Sequence, residues 1–288
     1  MECALFGVAL EVAVKCRAVP VGVLSILVLF AAACSSPSSS SRAGPPDELV
    51  DQPKTSTVPI TQQQQEQQQS SACPSDMVLV AGGYCPDVRQ TCTRYVDPPG
   101  SVYSQFRCAE YGKPQCLSPK RDDKRFCIDR YEYTAPGEKL PLVHQSWTTA
   151  TAVCKSQGKR LCMESEWQFA CEGEAMHAYP YGDGFHRDAS ACNIDRTNLG
   201  RPNSGLRDLR EPAGAHDKCV SPFGVHDMSG NVEEWSTLDH PGDPKEVSSM
   251  KGAWWLPGRN HCRAATTGHG QVYEGAQVGV RCCADASS

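Results

Sequence analysis

Residues 224–235 read GVHDMSGNVEEW, an acidic, turn-rich stretch that ends in tryptophan. Asp227, Gly230 and Glu234 fall within eight positions here. Carboxylates interleaved with a glycine turn can wrap a hard cation with side-chain and backbone oxygens. The alternative is that Asn231 and Glu234 only cap and pin a turn around Trp235. Either way this is a structured loop, which points to an irregular α+β domain rather than a helix bundle or a regular sheet.

Working outward, Glu164–Cys171 (ESEWQFAC) reads as a helix closed by Gly173, and Trp147–Gln157 reads as another closed by Gly158. Phe126–Tyr133 alternates as a strand should. Met77–Val80 reads as a short strand before a turn at Gly82 and Gly83, with two further strands near Met250–Trp255 and Val278–Cys283. No internal repeat is present.

The chain has 288 residues with 24 Gly, 21 Pro and 17 Cys. The glycine and proline favour loops, and the cysteine raises the question of compartment. Lys15 and Arg17 precede an apolar run, Val19–Ala33, that ends at Cys34. The run is shorter than the roughly 20 residues needed to span a bilayer, as a signal-peptide core is. Ala31–Ala33 before Cys34 have the form of a bacterial lipobox, which makes Cys34 the lipidated residue; an ordinary signal peptide cut near the alanines is the other reading. Both export the chain, and the first places it in the bacterial cell envelope, on the outer membrane if the source is Gram-negative.

Residues 1–33 are then a signal peptide, and 34–72 the lipidated cysteine with a Ser/Pro/Gln linker. Residues 73–288 form the folded domain. The linker, which includes TQQQQEQQQSS, has too little apolar surface to order itself and would reach roughly 35 Å as a flexible coil. The 14 cysteines from Cys73 to Cys283 are an even number, as about seven disulfides require. No CxxC occurs, so zinc is the weaker reading. The net charge of −5 and the lack of a Lys/Arg run exclude a nucleic-acid track.

Nine blocks, in order, resemble the formylglycine-generating enzyme, or sulfatase-modifying factor, family. They are Met77–Gly83, Ile128–Thr134, Gly158–Gly173, Tyr179–Phe185, Ala191–Asn198, Gly224–Trp235, Lys251–Trp255, Cys262–His269 and Val278–Cys283. The resemblance implies a loop-rich, C-type-lectin-like α+β fold. It also implies calcium, held by the side chains of Asp227 and Glu234 with the carbonyls of Gly230 and Val232. A second calcium would use Asn193 and Ile194, with Asp208 downstream if an indel is allowed. Met163 stands where the family has a capping Thr, so half of that helix's capping box is lost.

The family's enzymes oxidise a sulfatase cysteine with copper held by two cysteines after a glycine-rich strand, and paired thiolates suit Cu(I). Here that stretch is KGAWWLPGRNHC, residues 251–262, and only Cys262 remains. A thiolate-held copper is therefore not expected, and Cys262 is a weak catalytic candidate better placed in a disulfide. Two functions stand. One is a non-catalytic envelope module that binds a protein or glycan ligand in a groove lined by Trp254 and Trp255, with Tyr179 and Tyr181 beside them, unless these aromatics are core. The other is an oxidoreductase of the family with a rearranged metal site.

Overall fold

The computed structural model describes residues 72–197, 206–243 and 245–287. The signal-peptide core, Cys34 and the linker lie outside the described residues. Among those described, no helix is long and apolar enough to cross a membrane.

Two four-stranded sheets carry the domain. The first has the order β1 (Met77–Tyr84), β6 (Asp122–Asp129), β12 (Cys282–Asp285), β7 (Arg160–Leu161) and is antiparallel throughout. The second has the order β10 (Ala265–Thr266), β9 (Ser248–Lys251), β8 (Glu233–Thr237), β11 (Val278–Gly279), with β11 parallel to β8. Two small ribbons, β2 (Val88–Arg89) with β5 (Gln115–Cys116) and β3 (Cys92–Tyr95) with β4 (Cys108–Tyr111), form an excursion between β1 and β6.

Helix α1 (Trp147–Ser156) starts from a reciprocal Ser146–Thr149 capping box. Helix α2 (Glu164–Glu172) starts at Met163, which has no oxygen to offer its first N–H groups. Glu166 still accepts from Met163 N at 2.8 Å. The missing half is supplied from another element, because Asp239, just beyond β8, accepts from both Ser165 N (2.8 Å) and Ser165 Oγ (2.6 Å). Trp167, Phe169 and Ala170 of α2 pack with Val78, Val80, Phe126 and Ile128 as the main core.

All 14 cysteines from Cys73 to Cys283 are paired, as Cys73–Cys127, Cys85–Cys116, Cys92–Cys108, Cys154–Cys282, Cys162–Cys283, Cys171–Cys262 and Cys192–Cys219. Neighbouring Cys282 and Cys283 tie β12 to α1 on one face and to Cys162, just after β7, on the other, because successive strand side chains point to opposite faces.

Four strand expectations shift. The single strand expected at 278–283 is two, β11 in the second sheet and β12 in the first. β1 runs on through Gly82 and Gly83, paired with Lys124 and Asp123, where a turn was expected. The strand expected at 126–133 runs from Asp122 to Asp129. The strand expected at 250–255 stops at Lys251, because Gly252 and Ala253 take positive φ of 83° and 55°.

Candidate functional site

Asp227, Gly230 and Asn231 all adopt left-handed backbone, with φ of 59°, 86° and 57°. Any Cβ at Gly230 would run into the Asn193 carbonyl and the Ile194 side chain, so glycine is required where the two loops touch. Asn231 pins the junction. Its N–H donates to Asn193 O at 3.0 Å, its Oδ1 accepts from Asn193 Nδ2 and Glu211 N, both at 2.9 Å, and its Nδ2 donates to Glu132 Oε2 at 2.6 Å.

Glu234 is fully buried with both oxygens occupied. Oε2 accepts from Trp167 Nε1 at 2.6 Å and Arg281 Nε at 2.7 Å; Oε1 accepts from the second arm of Arg281 at 2.6 Å. Arg281, itself 0% exposed, also donates to the carbonyls of Asp129 and His226. A two-pronged guanidinium–carboxylate pair at this depth supplies the counter-charge that a cation would otherwise bring. Asp227 accepts from Gly214 N at 2.6 Å. Burial raises the Asp227 and Glu132 carboxyls above their ordinary range, and Glu132 is pushed further by Asp227 and Glu234 nearby. The residues expected to share one cation are thus side by side, but the Glu234 carboxylate is committed to Arg281.

Asn193 differs. It is 2% exposed, its Nδ2 donates to Leu209 O and Asn231 Oδ1, and its Oδ1 has no partner among the described residues. Ile194 follows it, also buried. The expected downstream ligand, Asp208, is instead gripped by the side chain of Arg210 at 2.7–3.2 Å. No group of three or more His, Cys, Asp or Glu among the described residues is arranged to hold a metal. The Asn193 amide oxygen and backbone carbonyls belong to a different donor class, the kind a hard cation takes.

Cys262, the weak catalytic candidate, is 0% exposed and bonded to Cys171 of α2. It has no thiol to offer. Of the groove aromatics, Trp255 corrects the expectation: it is 0% exposed and packs with Val143 and Val232 in the core. Tyr179 and Tyr181 are likewise buried. Of the four aromatics only Trp254 lines an open cavity, of about 360 Å³.

Glu132, Arg281 and Lys251 escaped the reading of the sequence. Arg281 carried one signal, a lone charge inside the apolar run VGVRCC. Lys251 is 0% exposed, 3.4 Å from Glu164, and burial pulls its amine down to about 8.

Residues 129–286 match the model of the sulfatase-modifying factor enzyme 1-like domain. The inactive C-alpha-formylglycine-generating enzyme 2 of Bos taurus is 34% identical over 167 residues, 52% of each chain. A formylglycine-generating enzyme of Thermomonospora curvata is 29% identical over 172 residues, 50% of this chain and 55% of that one. The chain spans about half the length of the curated relatives it matches. The crystal structure of CarF superposes with a TM-score of 0.50 at 17% identity, covering 74% of this chain and 99% of that one, a likeness of fold alone. With an irregular α+β architecture and a matched stretch covering more than half its length, this chain belongs to the sulfatase-modifying factor enzyme 1-like family.

Proposed function

We propose that the chain is a non-catalytic binding module, exported and tethered to a bacterial envelope membrane through a lipid on Cys34. The observation that carries the non-catalytic reading is the Cys171–Cys262 disulfide. Copper oxidation of a cysteine substrate needs thiolates on the protein, and this bond takes up the one cysteine of the KGAWWLPGRNHC stretch. The relative named inactive supports the same direction. Incubating the mature chain with a cysteine-containing sulfatase-type peptide, Cu(I) and oxygen should yield no carbonyl reactive toward a hydrazide probe. Turnover to an aldehyde would establish the rearranged oxidoreductase in its place.

The tether is tested by replacing Cys34 with Ser, which should release the chain from membranes into the soluble fraction. We further propose calcium at the Asn193–Ile194 end of the junction, where Asn193 Oδ1 is a buried acceptor without a partner among the described residues. The Asp227–Glu234 end is assigned to Arg281 rather than to a second ion. A calcium at Asn193 would fix the loop against the Gly230 turn and thereby hold the core face behind Trp254.

A further inference from the structure

The cavity beside Trp254 has a wall that the matched stretch does not supply. That wall is the loop between β3 and β4, stapled at its base by Cys92–Cys108 and lying before residue 129, where the family match begins. The Arg107–Asp97 and Arg107–Asp195 ion pairs hold the loop down, the latter at 3.1 Å. Tyr103 and Phe106 of this loop face Trp254 across the opening, and Phe106 remains 50% exposed. Aromatic surface left half-bare across an open cavity is unusual unless something stacks on it.

The polar lining is equally specific. Glu233, from the start of β8, reaches the floor at 6% exposure. Its Oε1 accepts from Thr266 Oγ1 at 2.8 Å, which fixes a carboxyl and a hydroxyl side by side in the lining. Arg259 lines the rim, its guanidinium 5.9 Å from the Phe106 ring centre. It donates a long hydrogen bond, 3.3 Å to Ala265 O, and among the described residues no carboxylate lies within ion-pair reach of it. By contrast Arg187, Arg263 and Arg281 are each paired with a carboxylate. The surroundings are positive as well. The neighbouring His261 ring is held at about 3 by burial first and then by Lys251, Arg259 and Arg187.

An uncommitted guanidinium calls for an anion, a carboxyl and a hydroxyl on the floor suit hydroxyl groups, and the aromatic faces suit an apolar ring face. We propose that this cavity binds a saccharide that carries a carboxylate. Arg259 takes the carboxylate, Glu233 and Thr266 take ring hydroxyls, and Trp254 with Tyr103 and Phe106 takes the ring face. The assignment names the ligand class of the binding module proposed above and rests on that reading.

The test is calorimetric titration of the mature, disulfide-intact chain with oligogalacturonate, its neutral oligogalactose counterpart and an acidic peptide of equal charge. The acidic sugar should bind at least about tenfold more tightly than the other two, a difference of about 1.4 kcal/mol. Arg259→Gln, an exposed change that leaves the core alone, should weaken it about tenfold, and Trp254→Ala should do the same. Arg89→Gln, on β2, serves as a charge control and should change nothing. Equal binding of the neutral sugar, preference for the acidic peptide, indifference to Arg259→Gln, or no binding at all would overturn the proposal. Failure here with the hydrazide assay still silent leaves the non-catalytic reading standing, whereas aldehyde formation removes that reading itself.

Discussion

Glu234 and Asn193 both bury oxygen atoms close to the turn at Gly230, and the two surroundings could hardly differ more. Around Glu234 both oxygens have donors: two bonds from Arg281 and one from Trp167, all at 2.6–2.7 Å. Around Asn193, among the described residues, the nitrogen is used twice and the oxygen not at all. One end of the junction is closed by the protein's own cation; the other is left open to a ligand. An unmet buried acceptor costs about 1–3 kcal/mol, so the open end is a liability unless something from solution fills it, and the closed end needs nothing further.

Breaking the closed end should have the largest effect. Arg281→Met strands the buried Glu234 carboxylate beside Asp227 and Glu132, and a urea titration should lose about 3–5 kcal/mol. Adding Glu234→Gln should recover part of that loss, because the stranded charge goes with it. Next comes the crosslink. Replacing Cys171 and Cys262 together with alanine opens a 91-residue loop and should cost about 2–4 kcal/mol. The hydrazide assay should stay blank in that variant too.

The open end is sharpened by chelation. At calcium about a hundredfold above its dissociation constant, a native-only ligand adds about 2.7 kcal/mol, so EDTA should lower the melting temperature of the wild-type chain. Asn193→Ala should abolish that response. A full response in Asn193→Ala would move the ion elsewhere, and no response in the wild type would remove it.

The smallest effect is a pH dependence. Lys251 binds its proton less tightly folded, at about 8, than at the ordinary 10.5. The unfolded chain therefore holds the extra proton between these values, and stability contributed by Lys251 rises with pH from ~8. Tyr84, raised by burial to about 12, works the opposite way above its ordinary 10.0. Urea midpoints should thus climb between pH ~8 and ~10 in the wild type and be flatter in Lys251→Met. Equal slopes would show that the amine is not perturbed.

Much of this was readable in advance, for reasons that differ by residue. Both helices appear within a residue of their expected ends because glycine stops are local signals, and the loss of the Met163 cap is real. That Asp239 replaces the cap could not be read, since it approaches from 74 positions away. Even cysteine arithmetic gave seven bridges without their partners. Trp254 and Trp255 were indistinguishable because they are adjacent and identical, and only long-range packing, Trp255 against Val143 and Val232, tells them apart. Arg281 and Glu132 were missed because a charge inside an apolar stretch reveals nothing about its partner until the chain closes. The cavity wall at Tyr103 and Phe106 was missed because it belongs to the disulfide-pinned excursion outside the resemblance.

The absence of a usable thiolate in the KGAWWLPGRNHC stretch is most directly tested by alkylating the mature chain in denaturant without reductant, digesting it and mapping its crosslinks by mass spectrometry. A Cys171–Cys262 crosslinked peptide with no alkylated cysteine from Cys73 onward is the predicted result. Recovery of Cys262 alkylated, together with a second alkylated cysteine, would contradict it.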